Sequence, residues 1–144
     1  MSASNSFETD LLELIFQGTA IADLAENDSS TPATSLYVSL HTDDPGEAGN
    51  QTTNEANYTS YARVAVTRNS SGWTVSGANA SNTAAVTFPA ATGGSNTITH
   101  FGIGTGQSGT GYLMFSGALG ASLAVSNGIT PSFANAGDLD VDAD

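Results

Sequence analysis

Several short constellations in this 144-residue sequence invite a chemical reading. Gly104-Thr105-Gly106-Gln107-Ser108-Gly109 has the glycine spacing of a loop that cradles a pyrophosphate. Such a loop needs a strand before it and a helix after it, so that the helix N-terminus meets the phosphates. Here Tyr112-Leu113-Met114-Phe115 follows and reads as another strand, so the spacing predicts a glycine-rich hairpin loop. His41 and His100 are the only histidines, and with Asp43 or Asp44 they could form part of a metal site. Isolated histidines on strands more commonly belong to packing or to the surface.

Asp138-Leu139-Asp140-Val141-Asp142-Ala143-Asp144 alternates strictly, which in a strand puts four carboxylates on one face. It is no EF-hand, because the sixth position is Ala143 and no Glu stands at a twelfth. The two readings are a Ca²⁺ site shared with another subunit and a solvated edge strand whose charges discourage pairing.

Nucleophilic chemistry finds little footing. There is no cysteine, which removes thiol catalysis, disulfides and Cys-bearing zinc sites together. No Gly-x-Ser-x-Gly elbow is present, and a serine without a positioned base is only a serine. Paired carboxylates for glycoside hydrolysis depend on spacing in three dimensions, and nothing in the sequence favours them. The expectation is a non-enzymatic protein with no catalytic residue, cofactor or metal.

The charge balance narrows the partners. Fourteen Asp and Glu face only Arg63 and Arg68, a formal net charge of -12. Nucleic-acid binding needs Lys and Arg to neutralise phosphates, so neither nucleic acid nor an anionic membrane is an expected partner. The apolar run Leu11–Phe16 is short and contains Glu13, and no basic stretch precedes it, so no signal peptide is read.

The elements that must position these residues are mostly strands. Residues 1–27 read as an N-terminal helical segment, with Ser6 as N-cap and Glu8 and Asp10 in the first turn. Phe7, Leu11, Leu14 and Ile15 recur at helical spacing, Ile21 and Leu24 extend the stripe, and Gly18 kinks or divides it. From residue 28 the rest of the chain reads as one β domain. In Leu36–His41, Leu36, Val38 and Leu40 should share one face and Tyr37, Ser39 and His41 the other. Asp43-Asp44-Pro45-Gly46 is a turn. Tyr61–Val66 and Trp73–Val75 read as a hairpin turning at Asn69–Gly72. Strands are also expected at 84–88, 97–104, 111–118, 122–125, 129–133 and 138–142. The predicted class is all-β, an antiparallel β-sandwich or jelly-roll-like domain with an N-terminal α-helix.

Interface candidates follow from the same reading. Phe7, Leu11 and Ile15 form a stripe that covers either the chain's own sheet or a neighbouring subunit. Arg63 and Arg68 stand alone in an acidic chain and should pair with carboxylates or bridge to a partner. Trp73, Tyr58, Tyr61 and Tyr112 are either interface anchors or ordinary core, with core the stronger reading for Trp73.

The strand segments resemble a widespread family of small tailed-bacteriophage structural proteins, usually labelled phage tail-fibre-like proteins. The resemblance opens on Ser35–Gly46 and continues through Tyr61-Ala62-Arg63-Val64, Thr99-His100-Phe101-Gly102-Ile103 and Phe115-Ser116-Gly117-Ala118-Leu119. It ends on Ile129–Phe133 and Ala136-Gly137-Asp138-Leu139, covering roughly residues 35–142. It implies a structural protein of a phage virion, made in the host bacterial cytoplasm, and carries no catalytic residues.

Size and charge then favour a capsid decoration, or cement, protein on the outer shell, a homotrimer stabilising the lattice of major capsid protein. A long fibre needs repeats, and none is visible. The alternatives are a tail component, fibre-associated or tail-tube, and a carbohydrate-binding module for host attachment.

Overall fold

The computed structural model describes residues 5–21 and 32–143. The chain forms two compact units. One comprises Met1–Ser35, Val66–Ala85 and Phe133–Asp144, and the other Leu36–Ala65 and Val86–Ser132.

The first unit opens with α1 (Asn5–Leu12), which runs into a π-helical turn at Glu13–Gln17. Gly18 then takes φ 73°, and its N–H closes on the Glu13 carbonyl, as does that of Thr19 at 3.2 Å. Left-handed backbone is cheap for glycine and incompatible with continuing the helix, so Gly18 ends it. The helix expected over 1–27 therefore stops at Gln17. Leu24 and the rest of 22–31 lie outside the described residues, while Ile21 forms an isolated bridge. Ser6 is the second helical residue rather than the cap.

The buried stripe also differs from the expected one. Leu12 and Phe16 are buried, whereas Phe7 is 40% exposed and Leu11, Leu14 and Ile15 are half-buried. Phe16 decides this: its ring lies 4.7 Å from that of Trp73, at 58°, and both side chains are fully buried. Thr9 Oγ1 donates to the Gly77 carbonyl at 2.9 Å and Gln17 Nε2 to that of Trp73 at 3.4 Å. The helix thus packs on its own chain.

Its platform is a three-stranded antiparallel sheet of β3 (Trp73–Ser76), β4 (Asn79–Asn82) and β9 (Asp140–Asp142), with β4 in the middle. Trp73 pairs with Asn82 and Ser76 with Asn79, so β3 and β4 are joined by the two-residue turn Gly77-Ala78, with Gly77 at φ 61°. The expected hairpin between Tyr61–Val66 and Trp73–Val75 is not formed. β2 (Val64–Thr67) edges a different sheet, and the turn after it is a local curl. In that curl the Asn69 carbonyl accepts both Gly72 and Trp73 N–H at 3.0 Å, and Asn69 Oδ1 accepts Ser71 N–H at 2.9 Å.

Buried Asn82 ties the C-terminal segment to this sheet. Its Nδ2 donates to the Ala84 and Asn135 carbonyls and its Oδ1 accepts Leu139 N–H, each at 2.8 Å. Leu139 and Val141 are buried while Asp140 and Asp142 are exposed, as the alternation predicts.

The second unit is built on a four-stranded antiparallel sheet in the order β2-β1-β6-β7, with β1 at Ser35–His41, β6 at Ser95–Gly104 and β7 at Leu113–Ser126. β1 meets β6 in the register Val38↔Ile103, Leu40↔Phe101 and His41↔His100. A two-stranded ribbon, β5 (Val86–Thr87) and β8 (Ser132–Phe133), completes the set. Leu36, Val38 and Leu40 are buried, as expected for one face, and so are Ile98 and Ile103 of β6. Ser39 and His41 on the other face are buried too, so β1 is covered on both sides.

The two strands expected at 111–118 and 122–125 are one. Gly120 does not interrupt β7; instead the register slips, with Ile98 opposite Leu123 and His100 opposite Ala118. The extra residues of β7 are accommodated as a bulge. The antiparallel all-β class with a single N-terminal helix is the architecture observed.

Candidate interaction site

The glycine-rich segment after β6 is a loop, Thr105–Tyr112, that leads into β7 and not into a helix. It therefore lacks the helix N-terminus that a pyrophosphate site requires. It is held from inside by two buried side chains. Arg63 grips Glu55 with Nε on Oε1 at 2.6 Å and Nη2 on Oε2 at 2.8 Å. The same guanidinium donates from Nη1 to the Gly106 carbonyl at 2.8 Å and from Nη2 to that of Gly109 at 2.7 Å. The Gln51 Oε1 accepts Gly106 N–H at 2.8 Å while its own N–H donates to the Thr110 carbonyl at 2.9 Å.

The glycines are required by this clamp. A Cβ on Gly104 or Gly111 would sit 2.3 or 2.1 Å from Gln51 side-chain atoms. Gly111 also has φ 54°.

The clamp's electrostatics are closed. Tyr61 donates its hydroxyl to Glu55 Oε1 at 2.9 Å and accepts Leu40 N–H at 3.1 Å. Burial, followed by the neighbouring Glu55 carboxylate, pushes the Tyr61 phenol well above its ordinary range. The hydrogen bonds to Glu55 hold the Arg63 guanidinium above its ordinary value against the effect of burial. Glu55 is thus a fixed acceptor, with no role left as a general base.

Beyond the clamp lies an open groove of about 590 Å³, within the second unit. One wall is the turn after β1, with Asp44, Gly46, Glu47 and Gly49. The other is the first half of β7, and His100 and Tyr112 also line the groove. Asp44 Oδ1 accepts Gly46 N–H at 2.8 Å, Gly46 takes φ 69°, and Asn54 Nδ2 holds the Asp44 carbonyl at 3.0 Å. A Cβ on Gly49 would fall 2.1 Å from the Pro45 carbonyl oxygen. The stem of Tyr112 is fixed as well: its carbonyl accepts Thr105 N–H at 3.1 Å and its N–H meets Thr105 Oγ1 at 3.2 Å. Its side chain is 71% exposed.

A serine–histidine pair appears that sequence reasoning missed. Ser39 Oγ lies 2.8 Å from His41 Nε2, and His41 Nδ1 lies 2.8 Å from the Thr53 carbonyl. A carbonyl only accepts, so Nδ1 carries the proton and Nε2 accepts from Ser39. Both side chains are fully buried, so no substrate reaches the hydroxyl; the pair is packing. With both ring nitrogens engaged, His41 has no lone pair for a metal. His100 Nδ1 lies 2.9 Å from Thr99 Oγ1.

The other expected site residues are distributed, not clustered. Arg68 seals the end of the helix, with Nε on the Ile15 carbonyl at 2.6 Å, Nη2 on that of Leu14 and Nη1 on that of Ala33 at 3.3 Å. A cation there complements the helix dipole, and burial lowers the Arg68 pKa. Trp73 is fully buried core, and its Nε1 has no acceptor among the described residues. Tyr58 is buried, with its hydroxyl on the Pro89 carbonyl at 3.0 Å, so of the four named aromatics only Tyr112 is strongly exposed.

In the acidic strand, Asn79 Nδ2 donates to Asp140 and, at 2.9 Å, to Asp142. Asp138 Oδ2 accepts Asn135 N–H at 2.8 Å, and Asp144 lies outside the described residues. Among the described residues no three His, Asp or Glu side chains are grouped to hold a metal ion.

Sequence comparison adds one strong result. The family model described as podophage GP4 fiber I protein gp80 matches residues 2–142. Comparison with curated proteins found no match.

Proposed function

We propose a function from one premise: the chain belongs to the podophage GP4 fiber I protein gp80 family, which spans nearly its whole length. The function is that of a non-enzymatic structural component of the phage tail, fibre-associated, carried on the virion. The family match is the observation that carries this reading. It favours the tail over the capsid shell, for which size and charge were the only grounds. A net charge of -12 serves solubility equally well on a tail surface.

The arrangement of the site supports the same reading. Loop Thr105–Tyr112 is anchored by buried groups and presents an exposed aromatic beside a groove, while the histidine and carboxylate best placed for chemistry are consumed in internal bonds. Rigid loops bearing exposed aromatics are binding features. A homo-oligomer, with trimers as the leading case, is part of the proposal; contact with major capsid protein belongs only to the shell reading.

Cryo-electron microscopy of the intact virion, with quantitative gels of separated capsids and tails, tests the proposal. Density for this chain on the tail, at low copy number, is the expected result. Density on the shell, with copies that follow the capsid fraction, would overturn it.

A further inference from the structure

We propose that the groove between the Asp44–Gly49 turn and the first half of β7 binds a saccharide without anionic groups, with Tyr112 as its stacking face. As a receptor contact this rests on the tail reading above; as a binding site it does not.

Four observations carry it. The volume, about 590 Å³, lies inside the range of roughly 300–1,000 Å³ typical of small-molecule sites. The lining mixes carboxylate acceptors (Asp44 and Glu47), an imidazole (His100) and a hydroxyl (Ser116) with the flat ring of Tyr112. A pyranose has a matching duality, with hydroxyls around its rim that donate and accept and C–H faces that lie on an aromatic ring. An apolar ligand would take those carboxylates out of water without offering them a donor.

The walls are also pre-organised. Asp44 closes its own turn, Gly46 and Gly49 occupy backbone positions where a side chain is strained or excluded, and Gln51 and Arg63 hold the loop that carries Tyr112. Little conformational entropy is therefore lost when a ligand enters, which matters most for weak polar ligands.

Finally, charge selects the class. The chain's only cations are Arg63, buried in its pair with Glu55, and Arg68, at the helix end, and neither lines the groove. Carboxylates in the wall and a net charge of -12 repel phosphorylated, sulfated or uronic-acid sugars.

The test uses the purified full chain on an array of bacterial-type oligosaccharides sorted as uncharged, amine-bearing and anionic, with a Lys-rich peptide as a control. Two-dimensional NMR of the isotope-labelled chain then follows the array hits. Uncharged or amine-bearing glycans should bind, with shift changes at Tyr112, Glu47 and His100, and anionic glycans should not. Tyr112→Ala, which removes an exposed side chain and should stay folded by circular dichroism, should weaken binding by about tenfold, or ~1.4 kcal/mol. Glu47→Gln should weaken it less.

Binding of anionic glycans alone, of the peptide alone, of nothing, or binding unchanged in Tyr112→Ala would overturn the proposal. Glycan binding by a protein found on the shell would keep this site and sink the tail reading. A tail protein that binds none of these glycans would do the reverse.

Discussion

Arg63 holds Glu55 through two parallel hydrogen bonds, at 2.6 and 2.8 Å, and gives two further donors to the carbonyls of Gly106 and Gly109. One buried cation thereby joins the loop after β1, the entry to β2 and the glycine-rich loop before β7. A bidentate guanidinium can do this because its donors form a planar fork; a lysine has no equivalent.

Breaking that pair from one side should be costly. Arg63→Ala leaves Glu55 without its counter-cation and two loop carbonyls without their donor, and should destabilise the chain by about 3–5 kcal/mol. Urea unfolding measures this, and hydrogen exchange should show the protection of Gly106 N–H falling with it. A loss under about 1 kcal/mol, the range of exposed ion pairs, would mean the clamp is ornamental.

Removing Phe16 should unseat the helix. Phe16→Ala leaves a void against Trp73 and should cost about 3–5 kcal/mol. Phe7→Ala, at an exposed position of the same helix, should stay within about 0.5 kcal/mol. Equal effects from the two variants would contradict the buried stripe found here. A blue-shifted Trp73 emission lost only in Phe16→Ala provides an independent reading.

Two glycines in adjacent strands should behave oppositely. A Cβ on Gly102 would lie 2.7 Å from both His41 Nε2 and Ser39 Oγ, and 2.8 Å from Leu113. Gly102→Ala should therefore cost about 1–3 kcal/mol through overpacking. A Cβ on Gly120 meets nothing within 4 Å, so Gly120→Ala should be neutral or slightly stabilising. Thermal melts of the two variants side by side decide this.

Acid should weaken the fold through His41. Burial holds its pKa below the ordinary 6.5, outweighing the Thr53 carbonyl and Glu55, while Arg63 and His100 push the same way as burial. The unfolded chain takes up its proton near 6.5; the folded chain does so only at lower pH. The contribution of neutral His41 is thus complete above 6.5 and is lost as pH falls through the folded value. Urea midpoints should drop between about pH 7.5 and about pH 5.5, and His41→Gln should flatten that limb. Parallel curves for the two proteins would assign the loss to other groups.

The sequence by itself determined whatever depends on neighbours along the chain. The alternation of Leu36, Val38 and Leu40, the Asp43–Gly46 turn and the buried Leu139 and Val141 all follow from local sterics and a period of two. The strand after Gly109 was enough to rule out a pyrophosphate loop. The helix is legible in kind but shorter than its stripe suggests, since Gly18, expected to kink or divide it, takes a left-handed backbone that ends it.

Only the tertiary structure decided which segments meet. β3 pairs with β4 rather than β2, through a two-residue turn inside the polar run Ser76–Asn82 that carried no hydrophobic signal. β7 runs unbroken past Gly120, with the slip in register taken up by its own extra residues between Ala118 and Leu123. Glu55 and Gln51, both in the loop after β1, take their roles from Arg63 and from glycines more than forty positions away. Ser39 and His41 lie two residues apart, yet only the second layer of burial turns them from an exposed face into a satisfied pair. Local conformation follows from local sterics, whereas the partner of a strand or a charge depends on closing long loops, and that balance is struck by the whole chain.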